Sequence, residues 1–174
     1  RLIVSADNAA HLMRIHQRIP AQVCEIFTLC KKEVTVRTEI NGIAVQVTGA
    51  GAINITSMSP TTVLDDVVGP GAIVLTATEA LGAGDDLTLG DGAGPDAGVL
   101  IQSTASSVTL QAGDAILINN DAIVSAATFI TADGGAGSVV DSGDLLGSFS
   151  SQGTLIAPSI TVNVLEDIVT GTLT

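Results

Sequence analysis

The stretch Gly51-Ala-Ile-Asn-Ile-Thr56 recurs twenty residues later as Gly71-Ala-Ile-Val-Leu-Thr76. Each copy places a glycine ahead of a short run in which apolar side chains alternate with others, Ile53 and Ile55 in the first, Ile73 and Leu75 in the second. A period of two is the mark of a strand with one face buried. Ser107-Val-Thr-Leu-Gln111 and Ser159-Ile-Thr-Val-Asn163 repeat the pattern more loosely. Recurrence at this distance predicts units that stack on one another.

Outward from this pair the chain is a succession of short β-like runs. They are Leu87–Leu89, Val99–Ile101, Val108–Leu110, Ile116–Ile118, Ile123–Val124, Thr128–Thr131, Val139–Val140, Thr154–Ala157 and Ile160–Val164. Turn formers separate them, among them Gly49-Ala-Gly51, Gly69-Pro-Gly71, Gly82-Ala-Gly84, Gly134-Gly135 and Gly143. About three such runs fit one cycle of roughly 20–24 residues. The chain has three Phe, no Trp and no Tyr, yet 46% of it is hydrophobic. Its core must therefore be made of thin layers of Ala, Val, Ile and Leu, which suits units that pack only on their neighbours. The expected fold class is all-β, a parallel β-helix or solenoid. The alternative, a β-sandwich, ordinarily has longer strands and aromatic residues in its core.

The first fifth reads differently. Leu12, Ile15, Ile19, Val23, Ile26 and Cys30 recur at steps of three and four, with Met13, His16 and Phe27 beside them. This spacing predicts helix over 8–33, started by Asn8 and interrupted at Pro20. The expected division is a helical N-terminal segment or cap at 1–33 and a β-solenoid at 34–174. At the junction Val34 and Val36, then Ile43, Val45 and Val47, already alternate, and Asn41-Gly42 between them signals a hairpin or tight turn.

Charge divides the chain at nearly the same place. Arg1, Arg14, Arg18, Lys31, Lys32 and Arg37 are all of its Lys and Arg, and no His or Cys follows them. The remainder is acidic, and the net charge is −12. That balance argues against binding nucleic acid or an anionic membrane. No stretch is long and apolar enough for membrane insertion. The chain begins with Arg1-Leu-Ile-Val4 rather than with a signal-peptide core, so it is expected to be a piece of a longer exported protein.

From Gly49 to Val164 the sequence resembles the passenger repeats of filamentous-haemagglutinin-type and autotransporter adhesins. The resemblance is carried by Gly51-Ala-Ile-Asn-Ile-Thr56, Val108-Thr-Leu-Gln-Ala-Gly-Asp114 and Gly153-Thr-Leu-Ile-Ala-Pro-Ser-Ile-Thr-Val-Asn163. Gly90-Asp-Gly-Ala-Gly-Pro-Asp-Ala-Gly98 is similar to loops of such proteins. The resemblance implies a right-handed β-helix in a secreted or cell-surface bacterial protein, non-catalytic and structural or adhesive. Its partner would be a host-cell or matrix surface component, or a second copy of itself. A self-assembling filament or surface-layer subunit is one alternative, and a polysaccharide-active β-helix enzyme is another.

Reactive chemistry is sparse. Gly92-Ala-Gly-Pro-Asp-Ala-Gly98 partly matches a calcium-binding nonapeptide, and Asp85, Asp86, Asp91 and Asp96 are the candidate ligands for Ca²⁺, the one cofactor the sequence suggests. Asp and Gly in such numbers also serve simply as turn residues. Asp65-Asp66, Asp85-Asp86 and Glu166-Asp167 offer paired carboxylates for glycoside hydrolysis. Neighbours on a strand point to opposite faces, however, and the acidic region lacks the basic and aromatic residues that hold sugars. His11, His16, Cys24 and Cys30 fit no usual zinc spacing. Without histidine, no serine beyond Arg37 has a histidine base to activate it.

Overall fold

A computed structural model describes residues 3–6, 14–16, 25–29, 34–38, 43–47, 49–57, 60–78, 84–92, 98–135 and 147–173, with side chains from Val45 to residue 170. These residues form strands and, among them, no helix. The chain opens with β1 (Ile3–Ala6), β2 (Arg14–His16), β3 (Glu25–Leu29), β4 (Val34–Thr38) and β5 (Ile43–Val47). Three strands follow in quick succession, β6 (Ile53–Ser57), β7 (Thr61–Val63) and β8 (Val67–Gly69). The same trio returns as β9 (Ile73–Ala77), β10 (Leu87–Leu89) and β11 (Val99–Ser103), then as β12 (Val108–Ala112), β13 (Ala115–Ile118) and β14 (Ala122–Ala126). The chain closes with β15 (Ile130–Gly134), β16 (Ser148–Ile156), β17 (Ile160–Val164) and β18 (Ile168–Leu173).

Among the described residues every strand pairing is parallel. From β6 to β13 a strand pairs with the strand three places later: β6 with β9 with β12 with β15, β7 with β10 with β13 with β16, and β8 with β11 with β14. Parallel neighbours need a crossover, and here the crossover consists of the two intervening strands. The nine-residue β16 occupies two places in its level. Ser148–Ser151 pairs with β13 and Thr154–Ile156 with β14, with a shift of register in between on the side facing β18. The result is a seven-stranded sheet, β2-β4-β6-β9-β12-β15-β17, and an eleven-stranded sheet containing all the other strands.

Register explains the composition. Val4, Phe27, Val45, Val67, Ile101, Val124, Leu155 and Leu173 stand opposite one another in turn, so an apolar residue occupies this place at eight successive levels. At about 4.8 Å per level the column is roughly 34 Å long. A second column runs Ile53, Ile73, Val108 and Ile130, each fully buried, and a third runs Ile55, Leu75, Leu110 and Ala132. Strand after strand shows the strict alternation of buried and half-buried residues that such columns require. Small and branched side chains suffice because each level is filled by the level above and below it. Among the residues with described side chains, one aromatic enters this interior: Phe149 is 1% exposed, in register with Ile116.

The repeated phrase now has a mechanical reading. Gly51 and Gly71 lie one above the other at the same corner, so a Cβ on Gly71 would run into the Gly51 carbonyl group. The glycine is required by the closeness of successive levels, and the strand that follows it is in register with its earlier copy, Ile53 with Ile73 and Thr56 with Thr76.

Four expectations change. The apolar spacing over 8–33 predicted helix, whereas Arg14–His16 and Glu25–Leu29 are strands that pair with β4 and β5. The ladder thus passes straight through the division drawn at residue 33; the rest of 8–33 lies outside the described residues. Of the residues in that spacing, Ile15 lies on β2 and Ile26 on β3, and Ile26, Phe27 and Thr28 within β3 are strand formers. Second, Val34–Thr38 and Ile43–Val47 do not form a hairpin with each other. They lie in different sheets with parallel partners, and Asn41-Gly42 falls outside the described residues. Third, parallel pairing throughout the described residues disfavours the antiparallel sandwich. Fourth, the cycle is uneven. Ile53 stands opposite Ile73, Ile73 opposite Val108, Val108 opposite Ile130 and Ile130 opposite Ile160, so long and short levels alternate. The extra length goes into corners, between β9 and β10, β10 and β11, and β15 and β16. The run expected at Val139–Val140 falls in the last of these, outside the described residues.

Candidate functional site: the acidic corners

An aspartate stands immediately before a strand at Asp66, Asp86, Asp114, Asp121 and Asp167. At a corner the backbone leaves the ladder, and its N–H groups need acceptors. Carboxylates from neighbouring levels supply them. Leu100 N donates to Asp66 Oδ1 at 2.9 Å, and Ala115 N donates to Asp86 Oδ1 at 3.0 Å. In the other direction along the stack, Asp114 Oδ2 accepts from Gly84 N and from Asp85 N, the latter at 3.0 Å. Asp121 receives Asp91 N at 3.2 Å and Gly92 N at 3.4 Å on its two oxygens. Asn119 Nδ2 adds a bond to Gly90 O at 2.9 Å.

These bonds have a common geography. The short level containing β12, β13 and β14 ties down both long corners of the level containing β9, β10 and β11. Gly90 shows how closely they fit: its φ is 80°, and a Cβ there would meet the Asp121 carboxylate. Asp114 is only 5% exposed, and its second oxygen, Oδ1, is buried without a hydrogen-bond partner among the described residues. An acceptor that holds two amides from a buried position stabilises the corner through charge-assisted hydrogen bonds.

The candidate calcium ligands are distributed between two such corners. Asp85 is buried and Asp86 half-buried just before β10, beside Asp114. Asp91 is exposed just after β10, beside Asp121. Four residues, the strand β10 and Gly90, separate Asp86 from Asp91, a span of up to about 16 Å. Asp96 lies outside the described residues. Among the described residues no three His, Cys, Asp or Glu side chains gather to hold a metal ion. Of the other carboxylate pairs, Asp65 Oδ1 accepts from Asp66 N at 3.0 Å, and Glu166 and Asp167 are exposed between β17 and β18. His11, Cys24 and Cys30 lie outside the described residues; His16 ends β2.

Asp114, Asn119 and Asp121 were not among the candidates. A signal for two of them existed: Asp114-Ala-Ile116 and Asp121-Ala-Ile123 are the same tripeptide, seven residues apart, each opening a strand.

The outward face of the seven-stranded sheet carries polar ladders. Thr76 Oγ1 donates to Gln111 Oε1 at 3.1 Å, and Asn163 Nδ2 donates to Asp133 Oδ1 at 2.7 Å. Beside this ladder Thr109, Thr131 and Thr161 stand in register, half-buried to exposed. No helix among the described residues is long and apolar enough to cross a membrane. Comparison with protein-family models, with curated proteins and with solved structures finds no match.

Proposed function

We propose that the chain is a right-handed parallel β-helix serving as a structural and adhesive segment of a large secreted or cell-surface bacterial protein, without catalytic activity of its own. The return to the same ladder after three parallel strands supports the helical path, and crossovers between parallel strands are right-handed in nearly all known cases. The observation that carries the functional half is the use of the acids. Asp66, Asp86, Asp114 and Asp121 accept backbone amides at the corners, so these carboxylates act as braces of the scaffold. What is left for a partner is a regular outward face of Thr, Asn, Asp and Gln, rich in hydrogen-bonding groups at the strand spacing. The partner is a host-cell or matrix surface component presenting hydroxyl and amide groups. The resemblance of residues 49–164 to adhesin passenger repeats points the same way.

The test is binding of the immobilised chain to a panel of matrix proteins and cell-surface glycans. Saturable binding to at least one is expected, lost in a Thr109→Lys/Thr131→Lys variant whose circular dichroism and melting temperature match the parent. Binding that ignores both substitutions, or none across the panel, removes the adhesive reading.

A further inference from the structure

The chain contains two Asp-Gly bonds, Asp91-Gly92 and Asp133-Gly134, and the fold places them in opposite surroundings. Such a bond is open to a reaction within its own backbone. The glycine nitrogen attacks the aspartate Cγ, and a new N–Cγ bond closes a five-membered imide. The carboxyl hydroxyl leaves with the amide hydrogen as water. A second water then reopens the ring. Addition at Cγ restores aspartate, whereas addition at the main-chain carbonyl leaves isoaspartate, in which the chain runs through Cβ and Cγ. Glycine favours closure because no Cβ obstructs its nitrogen.

Asp133-Gly134 is locked against this reaction. It ends β15, in register with Gln111-Ala112 on one side and Asn163-Val164 on the other. Asp133 Oδ1 accepts from Asn163 Nδ2 at 2.7 Å. Gly134 is buried, and a Cβ there would lie 3.0 Å from the main-chain oxygens of both Asp114 and Ser148. Closing a ring here would pull the strand away from two parallel neighbours.

Asp91-Gly92 follows β10 at a corner, outside any strand, and both residues are exposed. Gly92 has a φ of 69°, and a Cβ built on it would meet nothing nearer than the Asn119 side chain at 3.6 Å, so a ring has room. Gly92 N donates to Asp121 Oδ1 at 3.4 Å, longer than an ordinary bond, and Asp91 N donates to Asp121 Oδ2 at 3.2 Å. To reach Cγ of Asp91, Gly92 N must turn away from Asp121. The brace between levels is therefore also the restraint on the reaction.

We propose that Asp91-Gly92 is a site of spontaneous isomerisation to isoaspartate, slowed by Asp121 on the next level. The change leaves net charge and composition as they were and adds one carbon to the main chain. It does so where the fit is close, since a Cβ on Gly90 would already meet the Asp121 carboxylate. Gly92 N is carried away from Asp121, which loosens the tie between two levels and leaves the inner columns alone. This chemistry is independent of adhesion.

The test is to age the Arg1–Thr174 chain at physiological temperature and neutral pH, then label it with isoaspartyl methyltransferase and S-adenosylmethionine. Mass spectrometry of peptic peptides locates the label. Label is expected at residue 91 and not at 133. Asn41-Gly42 closes the same ring with loss of ammonia and is told apart by its change of mass. Asp91→Glu is expected to abolish label at that corner, because the longer side chain would have to close a six-membered ring. Asp121→Ala is expected to raise the rate at 91 at least about fivefold, the factor that one ordinary hydrogen bond amounts to. The Asp133-Gly134 bond reports on folding in the same sample: general unfolding releases both sites, loss of the brace only the first. No label at 91, or equal label at 91 and 133, overturns the site. An unchanged or slower rate in Asp121→Ala, or a rate that rises equally at 133, overturns the restraint.

Discussion

Phe149 and Ile168 are neighbours in one column, a single level apart, and their surroundings differ almost completely. Phe149 is 1% exposed and Ile168 54% exposed. The same contrast separates β15 from β17. Ile130-Thr-Ala-Asp-Gly134 and Ile160-Thr-Val-Asn-Val164 are paired residue for residue and share one alternation, yet the first buries its inward residues and the second leaves them half-covered. Burial in this protein is therefore conferred by the adjoining levels. A strand's own sequence prepares it for burial and no more.

The largest test of this contrast is to remove the two side chains separately. Phe149→Ala is expected to cost about 3–5 kcal/mol in chemical denaturation, because the cavity lies between levels that cannot collapse into it. Ile168→Ala is expected to cost under about 1 kcal/mol in the single chain. Equal losses would mean that the outer level is as firmly packed as the inner one.

A smaller effect is expected at the corners. Asp114→Ala strands the amides of Gly84 and Asp85 and is expected to cost about 1–3 kcal/mol. Asp114→Asn keeps an acceptor and is expected to cost less. The loss should localise: amide exchange at Gly84 and Asp85 quickens while that of Ile130 and Ile73 in the inner columns does not. Uniform acceleration would instead make Asp114 a determinant of the whole stack.

The smallest expected effect is calcium. Asp85 and Asp86 stand at one corner and Asp91 at the next, and among the described residues no three acidic side chains gather at either. Millimolar Ca²⁺ is therefore expected to shift the melting temperature by no more than about 1–2 °C, an amount matched by magnesium. A saturable shift specific to calcium would show that the corners gather additional oxygen ligands.

The body was legible because its signal is local. Ile53, Ile55, Ile73 and Leu75 alternate within a few residues, and Gly71 announces the corner before them. Thr61–Val63 and Val67–Gly69 are strands of three residues, too short for alternation to stand out, and they escaped notice. The head misled for a related reason: Ile15 and Ile26 sit on different strands, and their separation happened to fit a helical step. The corners were least legible. Asp114 serves Gly84 and Asp85 from about thirty residues away, and nothing local to Asp114 says where its partners lie. Uneven level lengths hid this further, because the extra residues of the corners break the repeat that would have aligned them.

The direction of the hydrogen bonds has a mechanical consequence. In a stack of parallel strands they run from one level to the next, so a load along the stack passes through every interface between levels and the weakest one parts first. In the proposed β-helix, extension under tension would proceed in steps, one interface after another, like a zip opened from its end.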